Sequence, residues 1–259
     1  MSFIKLIREL LFPPRCAACG KLMRPDPAHE SAALCTKCNE AWQRELSMQC
    51  PTCFMEYQAC RCTVHGMEKR GISAYVKLAP YRDGTKSTVT QKLVLAMKEH
   101  PQGKVFRHLA AELAVTVRAS IEASERKRRK NGCQEPLPTL VTYLPRSKRA
   151  VARTGFDQAR ELARALAAET GYAFAPLLSR VRDGAPQKSL SRRERAANLS
   201  GAFAAVGNCA NCRVLLVDDV VTTGAGMCEC ARMLHAAEII AVSVAYTEKK
   251  RKVRKVRNL

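Results

Sequence analysis

Apolar residues run almost without interruption in three places: TLVTYLP (Thr139 to Pro145), RVLLVDD (Arg213 to Asp219) and EIIAVSVAYT (Glu238 to Thr247). Short continuous runs rich in β-branched residues suit strands buried on both faces of a parallel sheet. A fourth run, ISAYVKLAPY (Ile72 to Tyr81), reads as a strand ending at the turn Arg82-Asp83-Gly84. Between the strands the period becomes helical. STVTQKLVLAMKEH carries Leu93, Met97 and Lys98 late in a helical pattern. Val105, Leu109, Leu113, Val117 and Ile121 recur every four residues and predict a longer helix, which gives way to a charged linker, ERKRRKNGCQEPLP. Gly155 to Gly171 predicts another helix around Phe156, Leu162 and Leu166, and GMCECARMLHAA a last one. Strands alternating with helices imply an α/β fold with an open, mostly parallel sheet flanked by helices. Ser179 to Ser200 fits neither period. It is arginine-rich and long for a structureless connection, which marks it as functional, mobile or simply solvated.

The first 70 residues break this pattern. Eight of the thirteen cysteines lie between Cys16 and Cys62, among Pro13, Pro14, Pro25, Pro27 and Pro51. Cys16-x2-Cys19 is followed by Cys35-x2-Cys38, then Cys50-x2-Cys53 and the tighter Cys60-x-Cys62. Two thiolates separated by two residues clamp one side of a tetrahedral metal, and two such pairs complete the shell. Taken in series, Cys16, Cys19, Cys35 and Cys38 form one zinc site and Cys50, Cys53, Cys60 and Cys62 a second. His65 stands close enough to replace one ligand of the second set. Free thiols or an iron–sulfur cluster use the same spacings. A zinc with four protein ligands has no open position, so the expected role is structural. Cys209, Cys212, Cys228 and Cys230 read as ordinary buried cysteines.

At 259 residues and 47% hydrophobic, the chain can bury one sizeable α/β core beside this small module. The expected organisation is a cysteine-rich module over 1–70, the α/β domain over 71–248 and a basic tail over 249–259. The start, MSFIKLIRELLF, lacks a signal-peptide pattern and is interrupted by Lys5, Arg8 and Glu9. With no apolar run long enough to span a bilayer, a cytoplasmic protein is expected, and there thiols favour metals over disulfides. The formal charge is +21, with RKRRK at Arg126 to Lys130 and KKRKVRKVR in the tail. Such a balance favours polyanionic partners, although a solvated basic surface has the same composition. Aromatics make up only 5%, so any single-strand binding would rest mainly on charge and be steeply salt-dependent.

The chemistry concentrates in VLLVDDVVTTGAGM, Val214 to Met227. A strand ends in Asp218 and Asp219, a small-residue loop follows, and then a helix. Backbone N–H groups of such a loop and helix start suit a phosphate, with Thr222 and Thr223 as extra donors. Gly224 and Gly226 allow close approach. Two carboxylates would repel that phosphate but accept hydrogen bonds from a vicinal diol, so the pattern points to a ribose 5-phosphate at the carboxyl end of the strands.

This stretch resembles the phosphoribosyl-pyrophosphate (PRPP) motif of type I phosphoribosyltransferases. The resemblance implies that Asp218 and Asp219 take the ribose hydroxyls and that Val221, Thr222, Thr223, Gly224, Ala225 and Gly226 take the 5-phosphate, with Mg²⁺ accompanying PRPP. Gly226 departs from the Thr or Ser that often ends this loop, which removes a hydroxyl contact. YLPRSKRAVARTGFDQARELA is similar to the signature of the ComF family, with Asp157 in place of the usual Asn. QKSLSRRERAANLSGAF matches the same family at Gln187, Leu190, Arg195, Asn198 and Phe203. With the N-terminal double zinc ribbon, the similarity spans roughly residues 13 to 247. It implies a type I phosphoribosyltransferase fold and a role in bringing single-stranded DNA into the cytoplasm during natural transformation, with DNA-uptake proteins as partners.

Arg146, Ser147 and Lys148, in the loop after TLVTYLP, would hold the pyrophosphate. Arg180, Arg182, Arg192, Arg193 and Arg195 would form a flap over the ligand or a track for single-stranded DNA. The other expectation is an active transferase that moves ribose 5-phosphate from PRPP to a base or amine.

Overall fold

In the computed structural model the four apolar runs become neighbours in one sheet. The structure describes residues 13–23, 32–64, 66–81, 88–99, 103–182 and 199–247. The chain start, His65, the turn at Arg82 to Gly84, Gln187, Leu190, Arg192, Arg193, Arg195, Asn198 and the basic tail lie outside them. The strands are β1 (Ile72–Tyr81), β2 (Thr139–Tyr143), β3 (Ala173–Phe174), β6 (Arg213–Val221) and β7 (Glu238–Thr247), in the order β1-β7-β6-β2-β3. Every neighbouring pair is parallel. The α/β class with an open parallel sheet, expected from the pattern, is the observed one.

Strand β6 is apolar through Val217 because both of its faces are covered. Leu215 and Val217 enter one core with helices α2 (Val89–Glu99), α3 (Gly103–Lys130) and α5 (Gln158–Thr170). Val214 and Leu216 enter a second core with helix α6 (Ala225–Met233), Phe203 and the segment around Val64 and Met67. Alternate residues of a strand point to opposite faces, so one strand supplies both cores. Helix α1 (Thr36–Leu46), in the cysteine segment, buries Trp42 and Leu46 in the first core.

Two sequence readings need correcting. The expected linker ERKRRK is the last part of α3, which runs to Lys130. Arg, Lys and Glu are strong helix formers, and basic residues suit the negative end of a helix dipole. The chain turns only at Gly132, at φ +89°. The polar stretch Ser179 to Ser200 starts inside a strand: β4 (Leu178–Arg180) pairs antiparallel with β5 (Phe203–Ala205), which follows the stretch. Helix α4 (Lys148–Thr154) is capped by the Ser147 hydroxyl, and α5 by the Asp157 carboxylate. Among the described residues, no helix is long and apolar enough to cross a membrane.

Candidate functional site

At the carboxyl end of β6 the pairing with β2 stops at Val217, the pairing with β7 continues to Val221, and side-chain hydrogen bonds join it. Asp219 N–H donates to Asp218 Oδ1 at 2.8 Å, and Val220 N–H donates to Asp219 Oδ1 at 2.7 Å. The loop then reaches Gly224, left-handed at φ +74° and N-cap of α6. A Cβ there would lie 2.9 Å from Met67 Cε, so glycine answers both the backbone conformation and the packing. Cys228 N–H donates to the Gly224 carbonyl at 2.9 Å. The N–H groups of the preceding first turn have no carbonyl within the helix to receive them. They border a cavity of about 210 Å³ lined by Asp218, Val220 to Met227, Leu144, Arg180, Leu199 and Phe203. The structure thus brings Asp218, Val221, Thr222, Thr223, Gly224, Ala225 and Gly226 to one cavity.

The acid pair is asymmetric. Asp218 lines the cavity, and burial, followed by the charge of Asp219, pushes its carboxyl well above the usual range. Asp219 does not line the cavity, and its Oδ2 lies 3.0 Å from Lys98 Nζ of α2. Gly226 also acquires a reason. A Cβ at that position would lie 2.8 Å from Leu144 Cδ1, so leucine from the loop after β2 fills the space a Thr or Ser side chain would need.

Arg146, Ser147 and Lys148 follow β2, the immediate neighbour of β6. None of the three lines the cavity. Arg146 N–H donates to Asp157 Oδ2 at 2.8 Å, and its guanidinium bonds Gln158 Oε1 and Thr154 Oγ1. Ser147 Oγ accepts from Ala150 N–H at 3.1 Å, and Lys148 is exposed. Asp157, standing where the resemblance has Asn, anchors this loop while capping α5.

The eight N-terminal cysteines gather into two groups, Cys16, Cys19, Cys35 and Cys38, and Cys50, Cys53, Cys60 and Cys62, with ligand atoms within 4.8 Å of one another in each. Zinc bound to four thiolates at about 2.3 Å would space neighbouring sulfurs by about 3.8 Å. Cys19 Sγ and Cys35 Sγ are 3.8 Å apart. The two groups fit a structural zinc.

Their first knuckles are copies of one another. Cys16 N–H donates to Lys21 O and Cys50 N–H to Met55 O. Gly20 N–H donates to Cys16 O, and Phe54 N–H to Cys50 O. Gly20 at φ +71° and Phe54 at φ +60° hold the same left-handed position. Burial raises the Cys16 and Cys50 thiols, but backbone N–H groups aimed at the sulfurs outweigh it and bring each to about 7. Burial and neighbouring sulfurs push Cys62 up to about 12, a repulsion that a divalent cation would relieve. Cys209, Cys212, Cys228 and Cys230 join no such group among the described residues.

Side chains that no local pattern announces tie the cysteine segment to the rest of the fold, among them Lys77, Glu45 and Met67. Lys77 of β1, 2% exposed, donates to Cys60 Sγ at 3.2 Å and Cys62 O at 3.0 Å. Glu45 of α1 accepts from Val89 N–H at 2.7 Å and from Thr90 N–H at 2.9 Å, capping α2. Met67 packs against the loop at Gly224.

The architecture defines an α/β protein whose parallel sheet presents an acid pair and an N–H-lined loop at the carboxyl end of its central strand, braced by a segment able to hold two metal ions. The chain is similar to proteins named for DNA utilization. It is 29% identical over 211 residues to DNA utilization protein YhgH of Salmonella typhimurium, covering 78% of this chain and 83% of that protein. It is 38% identical over 100 residues to DNA utilization protein YhgH of Salmonella typhi, where the match spans less than half of that relative, 44% of its length and 38% of this chain. No family model matches the chain.

Proposed function

We propose that this chain is a ComF-like protein that binds PRPP at the β6–α6 loop and assists the handling of single-stranded DNA during uptake in natural transformation. The observation that carries the ligand half is one cavity bordered by both Asp218 and the N–H-rich start of α6. Opposite chemistries side by side suit one ligand with a diol and a phosphate. The names of the relatives and the +21 charge support the DNA half.

On this reading residues 1–70 are a zinc-ribbon module, 71–248 a phosphoribosyltransferase-like domain and 249–259 a basic arm for DNA. Val221 to Gly226 hold the 5-phosphate, Asp218 and Asp219 the sugar hydroxyls, and Arg146, Ser147 and Lys148 lie toward the pyrophosphate. Mg²⁺ arriving with PRPP would neutralise part of the diphosphate charge. Zinc, held by the two sets of four cysteines, would keep the N-terminal segment folded. The place of work is the cytoplasm, beside DNA-uptake proteins.

Calorimetry with PRPP and Mg²⁺ tests the ligand half. Asp218→Ala combined with Asp219→Ala should abolish binding, and unchanged affinity would remove the assignment. Truncation after Thr247 should weaken single-stranded DNA binding and flatten its salt dependence.

A second reading is an active transferase passing ribose 5-phosphate to a base or amine. It is favoured by the antiparallel pair β4 and β5, whose Arg180 and Phe203 line the cavity. Pyrophosphate release from PRPP, with and without candidate acceptors, decides between the two.

A further inference from the structure

The two cysteine clusters address opposite faces of the sheet. Cys16, Cys35 and Cys38 pack in the first core with Val76 and Leu78 of β1. Side chains alternate along a strand, so Tyr75 and Lys77 point to the other face. There Lys77 Nζ donates to Cys60 Sγ at 3.2 Å. Zinc with four thiolates leaves two negative charges, and burying them without compensation is costly. Lys77, itself buried, sets a cation against one of the sulfurs. It also donates to the Cys62 carbonyl at 3.0 Å and lies 4.8 Å from the centre of the Tyr75 ring, and neither carries a charge. The lysine and a metal-filled cluster therefore complete one another.

From this contact two lines of residues reach the β6–α6 loop. The first crosses the sheet. Lys77 pairs in register with Ser243 of β7, and Ser243 with Asp218 of β6, which lines the cavity. Register partners share a face, so the three form one polar row. Tyr75 Oη joins it at Ser243 Oγ, 2.7 Å away. The second line is the chain itself. Val64, two residues beyond Cys62, and Met67 lie against Gly224: a Cβ there would meet Met67 Cε at 2.9 Å and Val64 Cβ at 3.5 Å. Thr63 Oγ1 donates to Glu68 Oε1 at 2.9 Å, and Met67 N–H to the Val64 carbonyl at 3.0 Å, so this brace is a hydrogen-bonded turn. Among the described residues, no cysteine of the first cluster enters the second core, where the loop packs.

Contiguity is not yet coupling, which needs an element with two states. A metal site has them. Filled, the second cluster fixes Cys60 and Cys62, and with them Lys77 and the turn at Val64 and Met67. Empty, it loses the folding energy that its metal contributes. We infer that metal in the second cluster, and not in the first, holds the β6–α6 loop in shape, with Lys77 as the outer cation that ties this metal to the sheet. This rests on zinc at both clusters and is independent of the phosphoribosyl reading.

The test is hydrogen exchange on the full, zinc-loaded chain, followed over Val221 to Met233, with zinc measured in every sample. Cys53→Ser removes a partly exposed ligand of the second cluster. Its zinc should be lost, and exchange over the loop and α6 should quicken by roughly tenfold, within the usual range for coupled sites. Cys19→Ser removes an exposed ligand of the first cluster. It should release the other zinc and quicken exchange over α1 but not over the loop. Lys77→Met leaves every cysteine in place and should weaken the second zinc by roughly 10- to 100-fold in competition with a chelator, the usual cost of an outer-shell partner. Should Cys53→Ser fail to fold, Lys77→Met taken by chelator to a single zinc decides, and its loop must exchange faster. Loop exchange that is unchanged once the second zinc is gone overturns the proposal, as does equal quickening on loss of either zinc. Unchanged zinc affinity in Lys77→Met overturns the role of the lysine. A wild-type chain that takes up zinc at only one cluster, or at neither, overturns the metal reading beneath the proposal.

Discussion

Strand β6 begins with a charge and ends with two, and the structure treats the two ends in opposite ways. At its amino end Arg213, 1% exposed, lies 2.6 Å from Glu125 of α3 and 2.6 Å from Glu238 of β7. Glu238 also accepts from the Ser73 and Ser124 hydroxyls. At its carboxyl end Asp218 and Asp219 stand side by side, and Asp219 alone is paired with a half-exposed lysine, Lys98. A cavity lies near each end. The two are of similar size, about 240 Å³ at the amino end and about 210 Å³ at the carboxyl end. Size therefore does not mark the site. Charges that are completed from within the fold are structural, whereas charges held together against their own repulsion await something from outside.

The largest effect should come from breaking the completed end. Arg213→Met leaves Glu125 and Glu238 buried without their cation and should cost about 3–5 kcal/mol in urea unfolding. Phosphate binding at the loop, measured below the unfolding transition, should be unchanged. Loss of both together would mean that the two ends are not separate in function.

The difference between the ends also governs what could be read from sequence. The acid pair, the loop and the cysteine spacings are local patterns, and the structure brings Asp218 and the loop to one cavity and the cysteines to two clusters. The long buried strands were legible because a parallel strand covered on both faces is apolar along its length. The three-residue strands β4 and β5 were not, since neither is long enough to show a period. Arg213 was invisible as a structural charge because its partners lie 25 and 88 residues away. Lys98, Glu45 and Lys77 escaped for the same reason. The duplicated knuckle was hidden by one residue: the left-handed position filled by Gly20 in the first copy is filled by Phe54 in the second. The helical course of RKRRK was masked by reading charge as linker.

A second test asks whether the carboxyl end, electrostatically incomplete, is sterically complete. Gly226→Ser would add a hydroxyl to the loop, but its Cβ would meet Leu144 Cδ1 at 2.8 Å. Overpacking of this kind should cost about 1–3 kcal/mol and weaken phosphate binding. Leu144→Ala in the same chain should recover most of that stability and give phosphate affinity at least equal to wild type. A stable single variant with improved affinity would show that Leu144 yields freely and that the glycine is incidental.

A third substitution should move stability the other way. Asp218→Asn keeps an oxygen to accept the Asp219 N–H and removes the repulsion between the two acids. Thermal unfolding should show a gain of about 1 kcal/mol, as is common where a site is strained for function. Binding of ribose 5-phosphate should fall by roughly tenfold at the same time. A loss of stability would place Asp218 among the structural charges and erase the contrast with Arg213.

The smallest effect, and the one that separates the two ends within a single protein, lies in the pH profile. Burial, then Asp219, raises the Asp218 carboxyl in the folded state. An acid raised on folding contributes stability that is fully present below its unfolded value and is lost as pH rises through its folded value. Glu125 has the opposite sign. Burial raises it, but the hydrogen bond from Arg213, the Leu137 N–H and the Arg213 charge outweigh that and leave it below its ordinary value. Its contribution is present above the unfolded value and is lost as pH falls through the folded one. Going down from neutrality, the denaturation midpoint should first rise as Asp218 takes its proton, above the usual carboxylate range. It should then fall, below that range, as Glu125 is protonated and releases Arg213. Asp218→Asn should delete the first limb alone and Glu125→Gln the second alone. Each variant is compared with wild type at the same pH, so that protonation of the cysteine clusters cancels. A profile in which either substitution removes both limbs would show that the charges at the two ends of β6 titrate as one system, and the division between structural and ligand-binding charge would fail.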